Sequence, residues 1–237
     1  ATSTEGPALS SLGEYVARMK IGQPAIYYLT AASREAAERS PHLEAVRARG
    51  YEVLFFLDPI DELWLRMRRE FEGKPFTSVS QGGVDLGPGE DGKKEGAVPE
   101  EVGERFKDLL VALRAALQDE VKDVRLSERL TSSPACLVGE PGDLSAHVEE
   151  LLRRSGREVP TAKRVLEVNP SHPLLTRLQA FHAAHAADER FRRYAELLLG
   201  QAILAEGGTL PDPAAFSRRL AELLVEATGD VDTDEQG

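Results

Sequence analysis

Two runs of consecutive apolar and aromatic residues, AIYYL at 25–29 and VLFFL at 53–57, constrain this chain more than any other feature. Neither alternates apolar with polar positions, so neither suits a sheet with one wet face. Each reads as a strand covered on both sides. Between them, 33–49 predicts helix, with Ser33 as cap, an interruption at Pro41 that allows two shorter helices, and an end at Gly50. Strand, helix and buried strand in series predict a small three-layer α/β unit with right-handed crossovers. A helix over 9–20 precedes it, with Leu9, Leu12, Val16 and Met19 on one side. Asp58 caps the next helix, Pro59 suits its first turn, and the helix is expected to run through Trp64 to about Phe71. A third strand is expected at 74–79.

The stretch 81–99, QGGVDLGPGEDGKKEGAVP, carries too little apolar surface to order itself. It reads as a flexible linker that lets two domains tilt, or equally as a surface insertion. Beyond it, Phe106, Leu109, Leu110, Leu113 and Leu117 form a helix stripe. Strands are expected at 121–126, 135–138 and 165–168, with Ser132-Ser133-Pro134 shaping the first turn. Asp143 is expected to cap a short helix to about Arg154. Helices over 172–187, 188–206 and 212–228 close the chain, and the acidic end VDTDEQG reads as loose. The fold class is therefore α+β. Its expected divisions are 1–80, a linker 81–99, a second domain 100–229 and a disordered tail 230–237.

The chain holds 40 Asp and Glu against 29 Lys and Arg, a net charge of −11. That balance opposes a nucleic-acid partner, which needs a concentrated basic face. The single cysteine, Cys136, excludes an internal disulfide and fits a reducing, cytoplasmic location. It lies in an apolar strand and reads as an inert packed thiol. No apolar run approaches the ~20 residues of a membrane span, so no membrane partner is expected. No signal peptide and no initiator Met open the chain, which reads as cut from a longer protein. His182 and His185, with Asp188 and Glu189, have no further ligand beside them, so no metal site is expected. No triad spacing and no glycine-rich phosphate loop of the P-loop kind is present, so no catalytic or cofactor-binding residue is assigned. The acid pairs Asp61-Glu62 and Glu149-Glu150 read as solvated helix charges.

The last two helices carry the main question. From Tyr194 to Ala205 only Glu196, Gly200 and Gln201 break an apolar run that includes Leu197, Leu198 and Leu204. Such a helix must be covered nearly all round. The helix over 212–228 is amphipathic, with Phe216, Leu220, Leu223, Leu224 and Ala227 on one side. Asp212 caps it, Pro213 opens it and Gly229 suits its end. Two readings fit: both helices fill their own core, or they pair with a second copy as a four-helix bundle. On the second reading Tyr194, Leu197, Leu198, Leu204, Phe216, Leu220, Leu223 and Leu224 form a homodimer interface.

Several short motifs, in order, resemble one family. They are Glu14-Tyr15-Val16 with Arg18-Met19-Lys20, Ile26-Tyr27-Tyr28, Ser40-Pro41-His42-Leu43-Glu44 and Asp58-Pro59-Ile60-Asp61-Glu62. Glu70-Phe71 with Gly73-Lys74-Pro75-Phe76 follows, then VKDVRLSERLTSSPACLV at 121–138, Asn169-Pro170-Ser171-His172-Pro173, and Asp212-Pro213 with Phe216. Together they resemble the heat-shock protein 90 chaperones, in particular the bacterial HtpG branch. The resemblance implies that 1–80 is the last subdomain of a middle domain and 100–229 a dimerisation and client-binding domain. It implies that ATP and Mg serve a nucleotide domain outside this chain, so the chain alone is not expected to be an enzyme. It implies that the helix after Asp143 offers Leu144, Val148, Leu151 and Leu152 to partly unfolded client proteins. Leu63, Trp64 and Met67 form a second candidate client patch, or Trp64 is simply a core aromatic. The tail lacks the Met-Glu-Glu-Val-Asp ending of eukaryotic cytosolic members, so no helical-repeat co-chaperone is expected there. The alternative reading is an α/β small-ligand-binding module fused to an oligomerisation domain, with a pocket at the carboxyl ends of its strands.

Overall fold

The computed structural model describes residues 1–87, 98–140, 142–156, 162–186 and 188–228, without the side chains of 146, 150, 151 and 154. The fold is α+β, in two lobes, each built on its own small mixed sheet.

In the first lobe both apolar runs are strands. β2 (Ile26–Thr30) and β3 (Leu54–Phe56) pair in parallel, and β5 (Lys74–Ser78) pairs in parallel with the other edge of β2. Two short strands that the sequence pattern did not announce complete the sheet. β1 (Thr2–Ser3) runs antiparallel to β3, and β4 (Glu70–Phe71) forms a hairpin with β5. The hairpin ends the helix expected to reach Phe71, so α4 spans Pro59–Met67. The continuous apolar runs are explained by burial on both faces. Ile26, Leu54 and Phe56 meet α1 (Leu12–Arg18) and α4 through Tyr15 and Leu65. Tyr27, Leu29, Val53 and Phe55 meet the opposite layer through Ala37, Leu43 and Val46. That layer is the helical stretch broken at Pro41, as α2 (Arg34–Glu38), a 3₁₀ turn and α3 (Glu44–Ala48). The Tyr15 hydroxyl ties the layers together. It donates to the Glu52 carbonyl at 2.8 Å and accepts from Gln23 and from the Tyr27 N–H. Burial, the largest influence, pushes that phenol up to about 12.

In the second lobe β8 (Val165–Val168) lies between β6 (Asp123–Leu126), parallel to it, and β7 (Ala135–Val138), antiparallel. One face carries Val124, Ala135, Leu137, Leu166 and Val168. It is covered by α5 (Glu100–Ala116), α7 (Pro173–Ala184) and α8 (Arg190–Ala205). The Phe106, Leu109, Leu113 and Leu117 stripe sits in that core as its spacing predicted. α6 (Ala146–Arg154) and α9 (Pro213–Thr228) lie outside it. His172 opens α7 with Nδ1 accepting from the Leu174 N–H, and Asp212 accepts from the Ala215 N–H at the start of α9. Asp143 does not cap α6. Its carboxylate accepts from the Glu140 N–H, and Ser145 receives the Val148 N–H instead.

The lobes meet directly. Glu44 of α3 places its carboxylate in the loop before β7, where Thr131, Ser132 and Ser133 each donate one backbone N–H and one hydroxyl. The Arg129 guanidinium donates to the Val79 carbonyl at 2.8 Å. The Gly82 N–H donates to Gly139, and the Gly139 N–H to Ser80, a strand-like bridge between lobes. Residues 81–87, the first part of the expected linker, are thus built in. Val84 and Leu86 pack on the first core, and Tyr27 donates to the Asp85 carbonyl at 2.7 Å. The rest of that stretch, 88–97, and the tail from Gly229 lie outside the described residues.

Burial works to raise the Glu44 pKa, but the donors from Ser133, Ser132 and Thr131 outweigh it and hold it below the ordinary 4.5. A depressed pKa stabilises the fold fully above the unfolded value and loses that contribution as pH falls through the folded value. Glu44→Gln is therefore expected to cost about 1–3 kcal/mol at neutral pH, with the deficit shrinking as pH drops below the ordinary carboxylate value. Urea denaturation of both proteins across pH checks this, and a pH-independent difference contradicts it.

Candidate functional site

Two outer surfaces, rather than a cleft, hold most of the apolar residues singled out from the sequence. The first is α4. Asp58 accepts from the Ile60 N–H at 3.0 Å, and Asp61 accepts from the Asp58 N–H, a reciprocal cap that sets the helix start. From that start Leu65 turns into the core, and Leu63 and Met67 turn out. Met67 is 79% exposed. Ile60 is exposed on the same stripe, at i−3 from Leu63 and i−7 from Met67. That spacing was present in the sequence, although Ile60 was not assigned. Trp64 is half-buried, its ring edge-on to Phe76 at 5.5 Å and tilted against Phe56 at 6.3 Å. It packs in the α1/α4 core cluster and borders the exposed stripe.

α6 lies against α4. Glu62 accepts from both the backbone N–H and the hydroxyl of Ser145, at 3.0 and 2.6 Å. Glu62 is buried, which corrects its reading as a solvated charge; a partner from the other lobe, invisible to helix spacing, covers it. Glu149 is corrected likewise. It is buried beside Arg164 at 3.4 Å, and burial pushes its carboxyl up against the opposing pull of that guanidinium. Leu144, Val148 and Leu152 are half-buried, and the Leu151 side chain lies outside the described set. The seam thus seats α6 against the Glu62 and Arg66 side of α4.

The second surface is the α8–α9 pair, which runs antiparallel. Arg193 bonds Glu222, Arg219 bonds Glu196, and the Tyr194 hydroxyl meets the Glu226 carboxylate at 2.9 Å. Gly200 allows the close approach, because a Cβ there would sit 2.6 Å from the Phe216 ring. Leu198 is corrected. It is 3% exposed, within the core of its own lobe, and cannot face a partner. Tyr194, Leu197, Phe216 and Leu223 are half-buried, while Leu204, Leu220 and Leu224 are exposed. Val225, not assigned from sequence because it falls off the stripe, is 70% exposed. Only Ala215 of α9 is buried.

The remaining chemistry is sparse. Cys136 is fully buried in β7, and burial, then the Glu167 and Glu206 carboxylates, push its thiol well up. His182 lies tilted against Phe191 and His185 against Phe181. No group of three metal-ligating side chains occurs among the described residues. A cavity of about 140 Å³ does open at Leu29–Ala32, the carboxyl end of β2, but Ser145, Arg164 and Glu206 of the second lobe close it. No described helix is long and apolar enough to cross a membrane.

A family model described as Hsp90 protein matches residues 1–237. Three similar proteins are each named Chaperone protein HtpG. The one from Frankia casuarinae is 50% identical over 92% of this chain. Those from Rhodococcus jostii and Mycobacterium tuberculosis are 50% identical over 91%. The chain spans about a third of their length, 34%, 34% and 33% respectively.

Gly200→Leu is expected to push Phe216 aside and destabilise the α8–α9 pair by about 1–3 kcal/mol. Amide exchange checks this, with faster exchange confined to α9 as the expected result.

Proposed function

Because the chain belongs to the Hsp90 family, we propose that it is the client-binding and dimerising portion of an ATP-driven chaperone. The observation that carries this reading is α9. A sixteen-residue helix that buries only Ala215 and exposes Leu220, Leu224 and Val225 has an apolar face without a cover. Covering a Leu side chain stabilises by about 1.5–3 kcal/mol. A second copy related by a two-fold axis covers the same residues on both partners at once and makes four helices of two. Holding two copies together gives one client two arms to touch, which raises avidity without new contacts.

The client surface in this reading is the joined α4–α6 face, with Ile60, Leu63, Met67 and the edge of Trp64 on α4, and Leu144, Val148 and Leu152 on α6. Methionine and leucine side chains adapt to varied partners, which suits weak binding of partly unfolded chains. ATP binding and hydrolysis belong to a part of the relatives' length that this chain does not span, and client release follows from changes driven there. A cytoplasmic location agrees with the lone buried thiol.

Light scattering over a concentration series is expected to show a dimer. Leu220→Glu with Leu224→Glu is expected to raise its dissociation constant at least about a hundredfold. A monomer at high concentration in the unsubstituted protein sinks the dimer reading. Leu63→Ser with Met67→Ser, both exposed, is expected to leave the thermal midpoint within about 2 °C and to weaken suppression of client aggregation several-fold. Unchanged suppression removes α4 from the client surface.

A further inference from the structure

We propose that Met67 is an oxidation switch on the α4 surface. Peroxide converts its thioether to the sulfoxide and weakens the binding of apolar segments there, and a methionine sulfoxide reductase restores it. The inference rests on the reading of α4 as a client surface. Its basis is where the chain keeps its sulfur. The sequence holds one cysteine and two methionines. Cys136 is fully buried, and burial holds its thiol well up, which makes it a poor nucleophile. Met19 is half-buried and packs against the Tyr15, Ile26 and Leu54 cluster. Met67 is 79% exposed. It is therefore the sulfur that a dissolved oxidant meets first.

The step needs no neighbouring catalyst. A lone pair of the thioether sulfur attacks one oxygen of hydrogen peroxide and the O–O bond breaks. Proton transfer through solvent then leaves the sulfoxide and one water. Sulfur loses two electrons and the peroxide gains them. In the return reaction a pair of reductase thiols supplies two electrons and becomes a disulfide, and the oxygen leaves as water. Both reagents must reach the sulfur. Met67 is the last residue of α4, and its exposure leaves that approach open.

What changes is the character of the stripe. Ile60, Leu63 and Met67 follow one another at steps of three and four, so they share one side of the helix. Met67 is the most exposed of the three. Its thioether is apolar and flexible and adapts to varied side chains. A sulfoxide is polar and carries an oxygen acceptor. An apolar segment lying over it strips water from that oxygen and offers no donor in return, which costs affinity. The fold loses nothing comparable. Leu65, not Met67, turns into the core, and the oxygen of an exposed sulfoxide stays in water. Oxidation at this position thus separates binding from stability.

Hydrogen peroxide treatment of the 237-residue chain, followed by peptide mass spectrometry and fluorescence anisotropy, tests this. The probe is a labelled neutral peptide of leucine and phenylalanine. Met67 is expected to gain its oxygen at least about fivefold faster than Met19. Once Met67 is oxidised, the chain is expected to bind the peptide about threefold to tenfold more weakly with its melting curve unchanged. Reductase with a thiol donor is expected to restore binding. Each variant is compared with itself before and after peroxide. Met67→Leu is expected to show one affinity in both states, and Met19→Leu to weaken as the unsubstituted chain does. Equal oxidation rates at the two methionines overturn the switch. So does peptide binding that survives full Met67 oxidation while Leu63→Ser with Met67→Ser weakens it, and in that case the client surface stands. If peptide binding is indifferent to that double substitution, the client reading itself falls, and this inference with it.

Discussion

The structure depends on carboxylates at the contact between its lobes, of which Glu44 and Glu62 are satisfied by donors from the opposite side. Glu44 receives six donors from Thr131, Ser132 and Ser133. Glu62 receives two from Ser145, and Glu206 of the second lobe accepts the Leu137 N–H while lying 3.4 Å from His42 of the first. Glu167 on the sheet face turned to the first lobe is held by Arg125, Arg129 and Ser127. A buried carboxylate without such partners would cost several kcal/mol, so the Glu62–Ser145 contact and the half-buried Glu44 cluster favour one relative placement of the lobes and penalise others. A seam fixed by directional bonds is more specific than one fixed by apolar contact alone.

That seam sets what remains outside. By drawing α6 onto α4 through Glu62 and Ser145, it joins two helices from different lobes into one surface. Exposed apolar residues recur on α4, as Ile60, Leu63 and Met67, and on the α8–α9 pair, as Leu204, Leu220, Leu224 and Val225, besides Leu9, Ile21, Val111 and Leu174 elsewhere. These two surfaces differ in kind. The α9 face carries Leu220, Leu224 and Val225 on its second half and suits a matching helix, whereas the α4 stripe is the narrow run Ile60, Leu63 and Met67 with charged residues at both ends.

The sequence was most legible where a local rule met no competitor. Continuous runs at 25–29 and 53–57 became strands buried on two faces, and Ser33, Asp58 and Asp212 each sit at the helix start that their residue type favours. It was least legible where two local rules competed or a partner was distant. Asp143 and Ser145 are both good caps, and only the fold, by engaging Asp143 with Glu140, left the role to Ser145. Short β1 and β4 have no apolar pattern to declare them, because edge strands of two residues draw their stability from the neighbour rather than from themselves.

Sequence alone thus determined the two-lobe α+β division, the faces of the longer helices and the motifs that mark the family, because periodicity and capping act over a few residues. Which apolar residue is inside and which is out was decided by tertiary structure. Leu198 and Leu220 look alike in the pattern of their helices, yet one fills a core and the other meets solvent, because α8 has a sheet behind it and α9 has only α8. The same holds for burial of charge. Glu62 and Arg68 are six positions apart on one stretch of chain, and the arrival of Ser145 from the far lobe engages the first, which is buried, while the second stays exposed.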